Sequence, residues 1–155
     1  MAKTKKAKVL SESLTTKQLL ELGSTLVSAL GGWPRMAEFL CLGLEVGRIG
    51  SVLISESVEP KTLKYRLDEA EVYKHADYPV NDDGAIIVVD REEYYARDSN
   101  ELGMKHYRID QRAIRLGLAK MLLDAPHLYH QLVTDNGDAI TGDAFVQFCA
   151  WGKLL

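Results

Sequence analysis

The carboxyl-terminal stretch Thr141-Gly142-Asp143-Ala144-Phe145-Val146-Gln147-Phe148-Cys149-Ala150-Trp151-Gly152 decides how this chain folds. Its spacing predicts a final helix capped by Thr141, with Phe145, Phe148, Cys149 and Gly152 along roughly one side. Val146, Ala150 and Trp151 fill the remaining sides, so the helix is apolar nearly all round. A helix without a wet face belongs either at the centre of a core or against another subunit.

Upstream, the apolar periodicity continues in helical steps. Thr15 or Thr16 caps a helix through about Leu30, with Leu19, Leu22, Leu26 and Leu30 recurring on one face. Gly31-Gly32 stops it, and Pro34 suits the first turn of a second helix, Arg35 to Glu45. Gly43 weakens the end of that helix. A helix is expected from about Pro60 to His75, a short one after Asp90, a strong one from Asp110 to about Leu123, and another from Pro126 through Val133. The best strand is Ala85-Ile86-Ile87-Val88-Val89, and it requires a partner because one strand leaves its edges unpaired. Gly47 to Ser55 reads as either strand or helix. These signals define a mainly α, compact helical domain with a minor β element of one or two short strands. It spans residues 14–155 behind a basic flexible arm at residues 1–13.

A chain of 155 residues, 46% hydrophobic, fits one domain with a sizeable core. No run approaches the length of a membrane span, and the lysine-rich start lacks the apolar run of a secretory signal. Two cysteines, Cys41 and Cys149, with no C-x-x-C pair, point to buried free thiols in a reducing compartment, hence a cytoplasmic location; one disulfide between them is the alternative. The net charge is -3, with a net of +1 over residues 1–80 and -4 over residues 81–155. The body is therefore a poor track for wrapping nucleic acid, although a small local contact surface is compatible with this balance.

The densest cluster of oxygen donors is Thr134-Asp135-Asn136-Gly137-Asp138-Ala139-Ile140-Thr141-Gly142-Asp143. Neither register of a calcium loop fits it. With Gly137 at the sixth position the first ligand is Leu132, and with Ile140 at the eighth the glycine is replaced by Asp138. It reads as a turn and helix cap. His127 and His130 share a helical face, so a metal-assisted hydrolase would draw on His127, His130 and Asp135 or Asp138. Nucleophile-elbow, zincin, P-loop and dinucleotide fingerprints are all missing from the sequence, and no cofactor is expected.

Two binding hypotheses remain. Tyr94, Tyr95, Arg97, Tyr107 and Arg108 carry the residue types of an interface hot spot. Val58-Glu59-Pro60-Lys61-Thr62-Leu63-Lys64-Tyr65-Arg66-Leu67 resembles the turn and recognition helix of a helix-turn-helix module, and Leu30-Gly31-Gly32 with Ala37, Leu40 and Leu44 is similar to small phage-type repressors. That resemblance, around residues 45–68, implies sequence-specific DNA binding through Lys61, Thr62, Lys64 and Arg66. The sequence departs from such modules where Gly47, Gly50 and Ser51-Val52-Leu53-Ile54 stand in place of a helix. The leading expectation is a small non-enzymatic accessory or regulatory protein acting through protein–protein contacts, as a homo-oligomer or with another protein, without a membrane. Truncation after about Gly142 is expected to abolish solubility or assembly, read by size-exclusion chromatography with light scattering.

Overall fold

The computed structural model describes residues 9–53, 66–67, 72–80, 84–96, 105–134 and 138–154. Among them are seven α-helices and four short strands, so the protein is mainly α with a minor β element. The final helix, α7 (Ala139–Trp151), lies at the centre. It packs on α2 (Trp33–Val46), α5 (Gln111–Asp124) and α6 (Pro126–Thr134), while α1 (Thr16–Ala29) covers the other side of α5. From Thr141 to Cys149 every α7 residue is buried except Asp143, which is half-buried. Its apolar circumference is therefore met inside one chain.

Local chemistry sets the helix ends. Thr15 caps α1 in a capping box with Gln18, and Gly31 and Gly32, at φ 117° and 83°, end that segment. The buried face of α1 is Leu19, Gly23 and Val27, displaced from the expected leucine stripe; Leu22, Leu26 and Leu30 are only partly covered. The cap of α7 is Asp138, not Thr141. Asp138 accepts the Thr141 N–H at 2.9 Å and the Asp138 N–H donates to the Thr141 hydroxyl oxygen at 2.9 Å, so the helix begins earlier and Thr141 is buried. Asp110 caps α5 through the Ala113 N–H at 2.8 Å.

The strands form one antiparallel sheet in the order β2-β1-β3-β4, made of β1 (Ile49–Leu53), β2 (Arg66–Leu67), β3 (Ala85–Asp90) and β4 (Tyr107–Asp110). Four strands exceed the one or two expected. The ambiguous segment at 47–55 is strand over 49–53. Within the helix expected from Pro60 to His75, residues 66–67 instead pair with β1, and among the described residues there Val72–Asp77 is helical (α3); residues 60–65 and 68–71 lie outside the described residues. The reason is sheet satisfaction: β1 pairs Ser51 with Val88 on one side and Val52 with Leu67 on the other. Ile49, Ile86, Val88 and Ile109 point from the sheet into the core. Arg91–Ala96 forms α4, directly after β3.

The sequence predicts an arm over residues 1–13. Residues 1–8 lie outside the described residues, whereas Leu10–Ser13 is a 3-10 turn. Ser11 donates its N–H and hydroxyl to the Asp124 carboxylate at 2.9 and 2.5 Å, fixing this turn to the end of α5.

Glycines set how closely the helices approach. A Cβ on Gly43 of α2 would stand 2.5 Å from Val146 Cγ2, and one on Gly142 of α7 would stand 2.7 Å from Leu42 Cβ. Backbone meets backbone at this crossing, which is why Gly43 lies within α2 instead of ending it. Gly117 of α5 meets Cys149 in the same way. Beside the crossing, Phe39 and Phe145 meet edge-on at 5.7 Å, both fully buried.

Alanine at an exposed helical glycine stabilises by roughly 1 kcal/mol. At Gly43 or Gly142 the sign reverses: Gly43→Ala and Gly142→Ala are each expected to destabilise by about 2 kcal/mol or more, because the neighbouring backbone cannot retreat. The exposed control Ser28→Ala should be neutral or slightly stabilising. Urea unfolding followed by circular dichroism measures all three; an unchanged midpoint for both glycine variants would refute the close-crossing account.

Candidate functional site

Two arginines tie the helical layer to the sheet. Arg48, in the turn between α2 and β1, donates Nε–H to Asp90 Oδ1 at 2.7 Å and Nη2–H to Oδ2 at 2.9 Å, and reaches Glu92 at 3.1 Å. Its own N–H goes to Asp143 Oδ1 of α7 at 2.8 Å, and Gln147 holds the other Asp143 oxygen at 3.1 Å. Arg91, the first residue of α4, donates to the carbonyls of Leu44, Gly47 and Ile49 at 2.6, 2.5 and 3.1 Å. A cation thus satisfies the open carbonyl end of α2, where the helix dipole favours positive charge. Burial raises the Asp90 carboxyl pKa, but the Arg48 hydrogen bond and the Glu92 N–H outweigh it, leaving the group below its ordinary value.

The same joint leads to the surface. The Arg48 guanidinium lies over the Trp151 ring at 5.7 Å, and Tyr107 of β4 meets Trp151 edge-on at 5.8 Å. Around them three open clefts adjoin. One of about 380 Å³ lies between α5 and the end of α7, lined by Arg108, Arg112, Leu116, Lys120, Phe148 and Trp151 among others. It shares Arg108, Asp110 and Arg112 with a second of about 270 Å³, which adds Arg115. It shares Ala150 and Trp151 with a third of about 380 Å³, which adds Asp90, Lys105, Tyr107 and Lys153. The combined lining carries six cations (Lys105, Arg108, Arg112, Arg115, Lys120 and Lys153) and two carboxylates. Both carboxylates are occupied, Asp90 by Arg48 and Asp110 by Arg108 and the Ala113 N–H. On a chain of net charge -3 this is a local concentration of positive charge.

Among the described residues, donors here outnumber acceptors. Arg112 has no partner among them. Arg115 reaches Ser24 Oγ at 3.4 Å, but its Nε–H is buried without a partner, as is the Trp151 indole N–H. Neither group is positioned to satisfy the other's need, since both are donors.

The expected interface cluster divides. Tyr107 and Arg108 belong to this face. Tyr94 is buried on α4, and Tyr95 stands exposed beside it with ring centroids 5.3 Å apart; neither lines the clefts. Arg97 lies outside the described residues. Of the expected DNA-reading residues, Lys61, Thr62 and Lys64 also lie outside them, while Arg66 is in β2 and not on a helix. His127 and His130 are exposed on α6, Asp138 caps α7, and Asp135 lies outside the described residues. No group of three or more His, Cys, Asp or Glu among the described residues is placed to hold a metal ion.

Arg112, Arg115 and Lys120 read in the sequence only as the wet side of a helix. A signal was available: residues 105–120 hold five Lys or Arg and one acidic residue, which the net of -4 for the carboxyl-terminal half conceals. The site so defined is a basic, aromatic-edged face on a mainly α scaffold. No known protein family, curated protein or solved structure matches the chain.

Asp90 supplies the pH-sensitive element. Its depressed pKa means that its stabilisation is present above the ordinary carboxylate value of 3.8 and is lost as pH falls through the folded-state value. Asp90→Asn is expected to cost about 1–2 kcal/mol at pH 7, a partly exposed pair being weaker than a fully buried one. The gap to the parent protein should narrow below roughly pH 4. Denaturant titrations of both proteins across pH measure it; a gap that stays constant into acid would exclude Asp90 as the titrating group.

Proposed function

We propose that this protein is a non-enzymatic accessory or regulatory factor that docks on another protein through the face formed by β4, α5 and the end of α7. The observation that carries this reading is the concentration of cations there, Lys105, Arg108, Arg112, Arg115, Lys120 and Lys153, beside aromatic side chains of the kind that anchor interfaces. The two features that predicted self-association, α7 and the β3 edges, are covered within one chain, which favours a different protein as the partner.

The described thiols support binding over nucleophilic chemistry. Cys149 is buried and its pKa is pushed far up by desolvation; Cys41 is raised by burial and then by Glu45. Thiols held protonated are poor nucleophiles. No helix among the described residues is long and apolar enough to cross a membrane.

A photo-crosslinking amino acid tests the reading. Placed at Arg112 and irradiated in the cells that make the protein, it is expected to give discrete, protease-sensitive adducts. The same group at Ile140, exposed at the opposite end of α7 from Trp151 and lining none of these clefts, should give none. Equal labelling from both positions, or no adduct from position 112, would refute the assignment.

A further inference from the structure

Resting on that docking face, we infer that its ligand is an extended acidic segment of the partner protein, with carboxylates over Arg108, Arg112 and Arg115 and an apolar side chain toward Leu116 and Phe148. Arg112 and Arg115 bring guanidinium donors that meet no carboxylate among the described residues, so the ligand must bring acceptors. The central cations are arginines, whose planar forks match carboxylates in pairs. Arg112 and Arg115 follow one another at helical spacing on α5, and Arg108 lies beside them on β4. The short cationic row suits a few carboxylates placed along an extended chain.

The same features disfavour a nucleic acid. Sequence-tolerant binding of single strands needs aromatic faces open for stacking along a basic groove. Here Trp151 carries Arg48 over one face and meets Tyr107 edge-on, and the basic row is short on a chain of net charge -3. The cleft floor is also partly apolar, through Ala113, Leu116 and Phe148, which a peptide can cover with one anchor residue.

The test uses the full chain and three probes: a short peptide alternating Asp and Glu with Leu or Phe, the same peptide with Asn and Gln in place of the acids, and an oligothymidylate of similar length. Binding is read by calorimetry and by Trp151 fluorescence, with Trp151→Phe as the reference for the Trp33 background. The acidic peptide is expected to bind at least tenfold tighter than its amide version and to weaken between about 50 and 200 mM salt. Arg112→Glu and, separately, Lys153→Glu should each lower its affinity about tenfold, while Ile140→Glu, at the far end of α7, leaves it unchanged. Both changed side chains are exposed, and circular dichroism confirms that the variants are folded. Tighter binding of the oligothymidylate, equal binding of the amide peptide, indifference to both variants, or no peptide binding would each overturn the inference. A position-112 adduct without peptide binding removes the acidic chemistry alone; loss of the adduct removes the face itself.

Discussion

The crossing of α2 on α7 governs this fold. With glycine on both helices, at Gly43 and Gly142, the two backbones approach without intervening side chains. Such an approach multiplies weak dispersion contacts along the helices and removes apolar surface from water over a long seam. It also fixes a distance that the polar chemistry needs. Only a close α7 lets the Asp143 carboxylate reach the Arg48 N–H, where α2 gives way to β1. The apolar seam and the hydrogen-bonded turn are therefore one device.

From that turn the connection runs outward. Arg48 is held from below by Asp143, from the sheet by Asp90, and against the Trp151 ring at the end of α7. The position of Trp151 on the surface is thus set by groups more than forty residues distant in the chain, through the Arg48–Asp90 pair among others. A ligand docked on a face built on rigid elements in this way, as we propose, would cost it little conformational freedom. Arg91, capping α2 with its guanidinium, gives the same corner a second brace from α4.

Much of the helical frame is legible in the residues alone. Thr15, Gly31-Gly32, Asp110 and Pro126 mark helix ends through local backbone chemistry, and the apolar circumference of α7 narrows its place to the core or a subunit contact. What is not legible is what depends on distant partners. Gly43 and Gly142 look like weak points because helix propensity counts their local cost and not the crossing they permit. β2 has two residues and β4 four, and the last of these, Asp110, already serves as a helix cap, so neither shows a pattern of its own. Arg112, Arg115 and Lys120 resemble any solvated helix face until Arg108 arrives beside them on a strand. Arg48 and Arg91 carried no local signal, their partners lying across the sheet.

The contact between Gly117 and Cys149 has a practical consequence. Cys149 is only 6% exposed where α5 meets α7, and burial raises its thiol pKa, so fast reaction with a thiol reagent requires these helices to part. Its rate of alkylation therefore times the opening of the core under native conditions. The half-buried Cys41, on the flank of α2, records a different and more local fluctuation. The chain holds two internal stopwatches, one for the heart of the bundle and one for its rim.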